Sequence, residues 1–244
     1  MLSVSLSYLG LALMTGHATW RGAVNRNQSP GREEGWFFGG GFLLALAAAI
    51  IRARQATLSA AGDLSGESLA LVMLETPYGL MLAVHMALLF TTGMGYLQLR
   101  IETGTGQRPL LLIPAAATVA TQGMLGHVSA AFAIHALAVV AWLGALLALT
   151  ACMQSVQPRR FALLAAGSVA LFVTTGALIA RDHMGGWPIF DNPYGLILLV
   201  KVLLVAGSLA IATNVRSRFA VFTALMLAIL ALLATAALSR IPPR

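Results

Sequence analysis

The residues that could do chemistry in this sequence are few: five histidines, one lysine and ten methionines, most of them in apolar surroundings. His127 closes the segment Gly123-Met124-Leu125-Gly126-His127, and His135 follows a very short connection later. Met124 stands three residues before His127, a spacing that lets both share one side of a helix. Imidazole and thioether without carboxylate form a soft-to-borderline donor set. Such a set suits copper, especially the reduced ion, better than magnesium, calcium or manganese. Met81 and His85 repeat the pairing at i,i+4, and His183 and Met184 are adjacent. Together they outline a candidate metal path, with His127, His135, Met124, His183 and Met184 towards one face and Met81 and His85 deeper.

Two further groups bear on that path. His17 falls at the far end of the first apolar run. Lys201 is the single lysine, and a cation repels copper unless it is neutral or paired. A gating or structural role therefore suits Lys201 better than ligation, with Asp182, Asp191 and Glu75 as candidate partners. Trp142 belongs with it as a structural or gating residue. The plain alternatives stand beside each assignment. Methionine is a common filler of apolar cores, and a membrane histidine can simply hydrogen-bond a neighbouring helix.

Other chemistries lack their residues. There is no HExxH, no CxxC, no phosphate-binding loop and no GxSxG. Every Asp and Glu falls in a loop or at a helix end, so no carboxylate pair could relay protons through the membrane. The chain is expected not to be an enzyme. The single Cys152 excludes an intrachain disulfide.

The elements that position these groups follow from composition. Hydrophobic residues make up 59% of the 244, and charged residues only 9%. Soluble domains carry about 25% charged residues, so this chain has too little polar surface to cover itself in water. Its net charge of +7 sits in short Arg clusters between apolar runs. That is the pattern of membrane loops, and no basic stripe interleaved with aromatics suggests a nucleic acid. Spanning helices need about 20 apolar residues. The sequence predicts eight, at about 2–20, 36–52, 69–98, 109–128, 130–152, 160–180, 194–214 and 218–238. Only residues 21–35 and 53–68 are long enough for extramembrane features. The expected class is an all-α polytopic membrane protein. Residues 1–107 hold three helices of the first half, whose fourth begins near 109, and residues 108–244 hold the rest. Nine Arg lie on one side of this arrangement and five on the other. The positive-inside rule then puts the nine in the cytoplasm and both termini outside.

A weak internal repeat adds to this. Residues 76–85 read Thr-Pro-Tyr-Gly-Leu-Met-Leu-Ala-Val-His and residues 192–201 read Asn-Pro-Tyr-Gly-Leu-Ile-Leu-Leu-Val-Lys. Thr76 and Asn192 are good N-caps, and Pro77 and Pro193 fit the first helical position. Helix starts can look alike for that reason alone. The identities that follow favour duplication into two parallel four-helix halves, which place sites where the halves meet. The offset sets His85 at the position of Lys201.

Gly126-His127, then His135, then Ala141-Trp142-Leu143-Gly144 resemble the CopD copper-resistance membrane proteins. So do Arg159-Arg160-Phe161, Thr175-Gly176 and the run from Asn192 to Lys201, in that order, over about residues 108–215. The resemblance implies an eight-helix bacterial inner-membrane protein that handles copper, commonly described as copper uptake into the cytoplasm. It carries over His127, His135, Trp142 and Lys201 as family-pattern positions, while His85 departs from the pattern. With no appended periplasmic copper-binding domain, a copper chaperone would be a separate chain, and the other expected partners are membrane lipids. Three classes stay open: a copper permease, a haem or other redox membrane protein with histidine ligands, and a structural or assembly membrane protein.

Overall fold

The computed structural model describes residues 2–24, 32–101, 108–125, 129–151, 158–186, 192–212 and 217–238. Among these the fold is entirely helical: α1 (Leu2–Val24), α2 (Arg32–Ala61), α3 (Gly66–Glu75), α4 (Pro77–Ile101), α5 (Arg108–Met124), α6 (Ala130–Ala151), α7 (Pro158–Met184), α8 (Pro193–Ala212) and α9 (Arg218–Leu238). Six of them, α2, α4 and α6 to α9, are long and apolar enough to cross a membrane. The chain is a polytopic helical membrane protein. Large apolar side chains such as Leu163, Val173, Leu196 and Leu203 are exposed on the outside of the bundle. Helices apolar on every side are expected where lipid replaces water.

The predicted span over 69–98 is two helices. Thr76 adopts an extended conformation, φ −104° and ψ 142°, between α3 and α4. Pro77 causes this, because its ring disfavours the helical region for the residue before it and it has no N–H to continue the ladder. Thr76 Oγ1 then accepts from the Gly79 N–H at 2.9 Å, and Asn192 Oδ1 accepts from the Gly195 N–H at 2.8 Å. Both expected caps are therefore formed. The predicted extramembrane segment 53–68 is also mostly helix. α2 runs on to Ala61, and only residues 62–65 connect it to α3.

Helix directions follow from pairs of contacts. In α1 and α2, Gly10 meets Ala45 while Met14 meets Gly41, so the two are antiparallel. His85 reaches Thr121 while Thr92 reaches Thr118, which makes α4 and α5 antiparallel. His135 reaches Thr175 while Trp142 stands beside Phe161, so α6 and α7 are antiparallel too. The centre is the crossing of α1 and α6. A Cβ placed on Gly16 would stand 2.1 Å from the Cα of Gly144, so the two backbones touch. Small residues permit this approach, which van der Waals packing then rewards within a bilayer.

Candidate functional site

The side chains that matter converge on one end of the bundle, where α1, α4, α6 and α8 begin and α2, α5, α7 and α9 finish. Ser7, Tyr8, Arg52, His85, Gln122, His135, Thr175 and Lys201 all lie within about nine residues of those helix ends, or roughly 14 Å. They form two clusters.

The first is a cavity of about 60 Å³ among α1, α6, α7, α8 and α9. Its polar lining is Tyr8, His135, Lys201, Ser208 and Thr235, and Trp142 and aliphatic side chains complete the wall. Ser208 Oγ donates to Ala224 O at 2.8 Å and Thr235 Oγ1 to Ala231 O at 3.0 Å, so both hydroxyls already serve helix carbonyls. His135 Nδ1 lies 3.1 Å from Phe172 O and 3.1 Å from Thr175 Oγ1. A carbonyl oxygen only accepts, so Nδ1 carries the proton and Nε2 keeps its lone pair. Thr175 Oγ1 donates to Leu171 O at 2.7 Å, which leaves its oxygen to accept from the imidazole. Gly176 makes room for the ring, since a Cβ there would stand 3.2 Å from His135 Cε1. Phe172 meets the ring edge-on, with centroids 6.4 Å apart. Lys201 faces His135 in this cavity. Among the described residues no carboxylate reaches it. Asp182 and Glu75 are exposed elsewhere, and Asp191 lies outside those residues.

The second cluster is built on α1, α2, α4 and α5. His85 is 1% exposed, and its Nδ1 lies 3.1 Å from Thr118 O and 3.0 Å from Thr121 Oγ1. Its Nε2 is enclosed and meets no hydrogen-bond partner among the described residues. Arg52, the last residue of the predicted span 36–52, is instead buried inside the bundle. It donates through Nη1 to Gln122 Oε1 at 3.1 Å, and Ser7 Oγ donates to the same oxygen at 2.7 Å. α2 extends beyond the predicted span, and this carries Arg52 inward. Arg52 acts electrostatically on His85 and on Tyr8. Tyr8 faces the cavity while its neighbour Ser7 faces this cluster, so the two sites lie against adjacent faces of α1 at the same level.

The structure brings His135, Trp142 and Lys201 to one cavity and sets His85 apart from it. Met81 is half-buried one turn before His85, and Met124, also half-buried, ends α5. His183 stacks on Tyr194 with centroids 6.0 Å apart, and Met184 closes α7. None of these four lines the cavity. His127 lies outside the described residues, as does the side chain of His17. Among the described residues no three His, Cys, Asp or Glu side chains are grouped to hold a metal. Tyr8, Arg52 and Gln122 carry no expectation from the sequence as site residues, and Thr175 enters it only through the family likeness. Arg52 carried a signal, since an Arg nine residues before the end of a long apolar helix is costly unless partnered.

No family model matches the chain, and no curated protein or solved structure matches it either.

Proposed function

We propose that the chain is a copper-binding protein of the bacterial inner membrane that carries copper across it, in the direction of uptake, with His135 as a ligand. One observation carries the reading. His135 lines a small, partly open cavity with Nδ1 fixed on a helix carbonyl, which leaves Nε2 as the ring nitrogen open to a ligand. Metal-ligating histidines commonly bond their other ring nitrogen in this way, which fixes the tautomer and the ring. The size of the cavity supports an ion as cargo. About 60 Å³ holds a few waters or an ion, whereas organic ligands occupy roughly 300–1,000 Å³. That ranks copper above haem, and a purified protein with a Soret band would reverse the ranking. The resemblance to CopD proteins supports copper over other soft cations, and a separate periplasmic chaperone would deliver it.

The same proposal includes eight spans, with α1 and α5 added to the six long apolar helices. It includes two parallel four-helix halves. The α1–α2 packing is matched by α6–α7, and α4–α5 by α8–α9. The Arg count favours an orientation with the histidine end and both termini in the periplasm, where uptake would begin.

The test is metal binding and uptake. A scattering map at the copper edge should place the ion beside His135. His127→Ala with His135→Ala should abolish copper uptake by cells and proteoliposomes. Unchanged uptake in that double variant removes the proposal, and a protein that holds no stoichiometric metal favours a structural role.

A further inference from the structure

At the end of the bundle opposite the histidines, α2 and α4 leave a groove that opens outward. It has a volume of about 620 Å³ and is lined by Trp36, Phe38 and Phe42 from α2 and by Phe90, Met94 and Tyr96 from α4, with glycines between them. Phe38 and Tyr96 stack at 3.7 Å, and Phe42 meets Phe90 edge-on at 5.9 Å. Glycines create the recess. A Cβ on Gly93 would stand 2.8 Å from the Phe42 ring, and a Cβ on Gly39 would meet nothing. At the lips Trp36 is 75% exposed and Met94 66%.

The lining is almost wholly hydrocarbon and aromatic, so no charged or strongly polar solute would be held there. The groove extends from Gly35 to Phe42 on one helix and from Phe90 to Leu97 on the other. Seven residue steps of helix are roughly 10 Å, which lies within one leaflet of a hydrocarbon core about 30 Å thick. Its volume falls in the range of sites for organic ligands. Trp36 and Tyr96 stand towards its mouth, the level at which such rings gather in a bilayer.

Charge identifies the rest of the occupant. Because Phe38 stacks on Tyr96, the start of α2 and the end of α4 share this end of the bundle, and antiparallel α5 begins there too. Arg32 opens α2, Arg100 is next to last in α4 and Arg108 opens α5. Arg21, Arg159, Arg160 and Arg218 lie at the same end, against Glu33 and Glu34 as the acids among the described residues. An apolar groove at the end of the bundle where arginines outnumber acids along the described helices matches an acyl chain beneath a phosphate. We propose that the α2–α4 groove binds one anionic phospholipid, with an acyl chain along the aromatic wall and the headgroup at the level of Arg100 and Arg108. This site is independent of the copper proposal.

The test uses the full chain in nanodiscs of equal phosphatidylglycerol and phosphatidylcholine, released and weighed by native mass spectrometry. The wild type should retain one phosphatidylglycerol with about tenfold preference. Gly39→Leu fills the groove where nothing else stands and should remove that lipid. Gly40→Leu, whose new side chain also meets open space but lies outside the lining, should leave it. Arg100→Gln with Arg108→Gln should keep a lipid and lose the preference. If Gly39→Leu fails to fold, Trp36→Ala opens the mouth and should lower retention. Equal retention of the two lipids, retention unaffected by filling or opening the groove, or a lipid-free mass of two chains would each overturn the proposal.

Discussion

His85 and His135 are held by the same grip on different helix pairs. Each Nδ1 lies 3.0–3.1 Å from both a helix carbonyl and the hydroxyl of the threonine three residues further on, Thr118 O with Thr121 and Phe172 O with Thr175. Their surroundings differ. His135 opens on a cavity that it shares with Lys201, while His85 is enclosed beside Arg52. A guanidinium does not give up its charge, whereas a buried amine can. Under the proposed function, a copper ion would therefore be less welcome at His85 than at His135.

The grip on His135 predicts a loss of affinity without a loss of fold. Thr175→Val removes the hydroxyl beside Nδ1 at nearly constant volume. Copper affinity should fall about 10- to 100-fold, the usual cost of losing a group that supports a ligand. Competition against a chromogenic copper chelator measures this, and an unchanged affinity would mean that the threonine does not support a metal ligand.

Gln122 is the hinge of the other cluster, since its Oε1 takes hydrogen bonds from both Arg52 and Ser7. Gln122→Leu leaves the guanidinium buried with no acceptor there. A hydrogen bond to a charged group contributes about 1.5–3 kcal/mol, and a loss of that order is expected from unfolding in detergent. Arg52→Met removes the charge together with its need and should cost less than Gln122→Leu. The reverse order would mean that the guanidinium finds its acceptor elsewhere.

Composition made the membrane class legible, because a 9% charged chain has few ways to be soluble. Thr76 and Asn192 were legible as caps because capping is local chemistry. The cap at Thr76 marks a helix start at Pro77, but the apolar residues on both sides join into one run by hydropathy, which conceals that α3 precedes it. Arg52 eludes the sequence because a charge ordinarily ends an apolar span, whereas α2 continues for nine more residues. The two clusters were illegible for a different reason. Ser7, Arg52, His85 and Gln122 come from four helices, and no spacing in the sequence records which helix faces meet.

Asp63 supplies a pH dependence outside the membrane. Its carboxylate accepts from the Ser65 N–H at 2.8 Å and from Ser65 Oγ at 2.8 Å, at the entrance to α3. The backbone bond, with help from the Ser68 and Ser65 hydroxyls, lowers its pKa from the usual carboxylate value. A lowered folded pKa means that the contribution is present above the ordinary aspartate range and is lost as pH falls through the lowered value. Protection against hydrogen exchange at the first turn of α3, measured against the intrinsic rate at each pH, should therefore fall as the pH is brought below about 4. Asp63→Asn should flatten that response, and an equal loss of protection in the variant would assign it to another group.

The crossing of Gly16 and Gly144 yields the sharpest structural prediction. A Cβ on either residue would stand 2.1–2.2 Å from the other's Cα, and the obstacle is backbone, not a side chain that could swing away. Gly16→Ala must therefore push α1 and α6 apart. Overpacking of this kind costs about 1–3 kcal/mol or more, visible as a lower unfolding midpoint. Gly167→Ala is the control, since a Cβ there meets open space. The displaced helices carry Tyr8 and His135 about two to three turns from the crossing, on two walls of the same cavity. Moving those walls changes the separation of the groups that would face an ion. Gly16→Ala should therefore weaken copper binding as well as stability, whereas Gly167→Ala should leave both intact. A Gly16→Ala protein with wild-type stability would show that the two helices do not cross in contact.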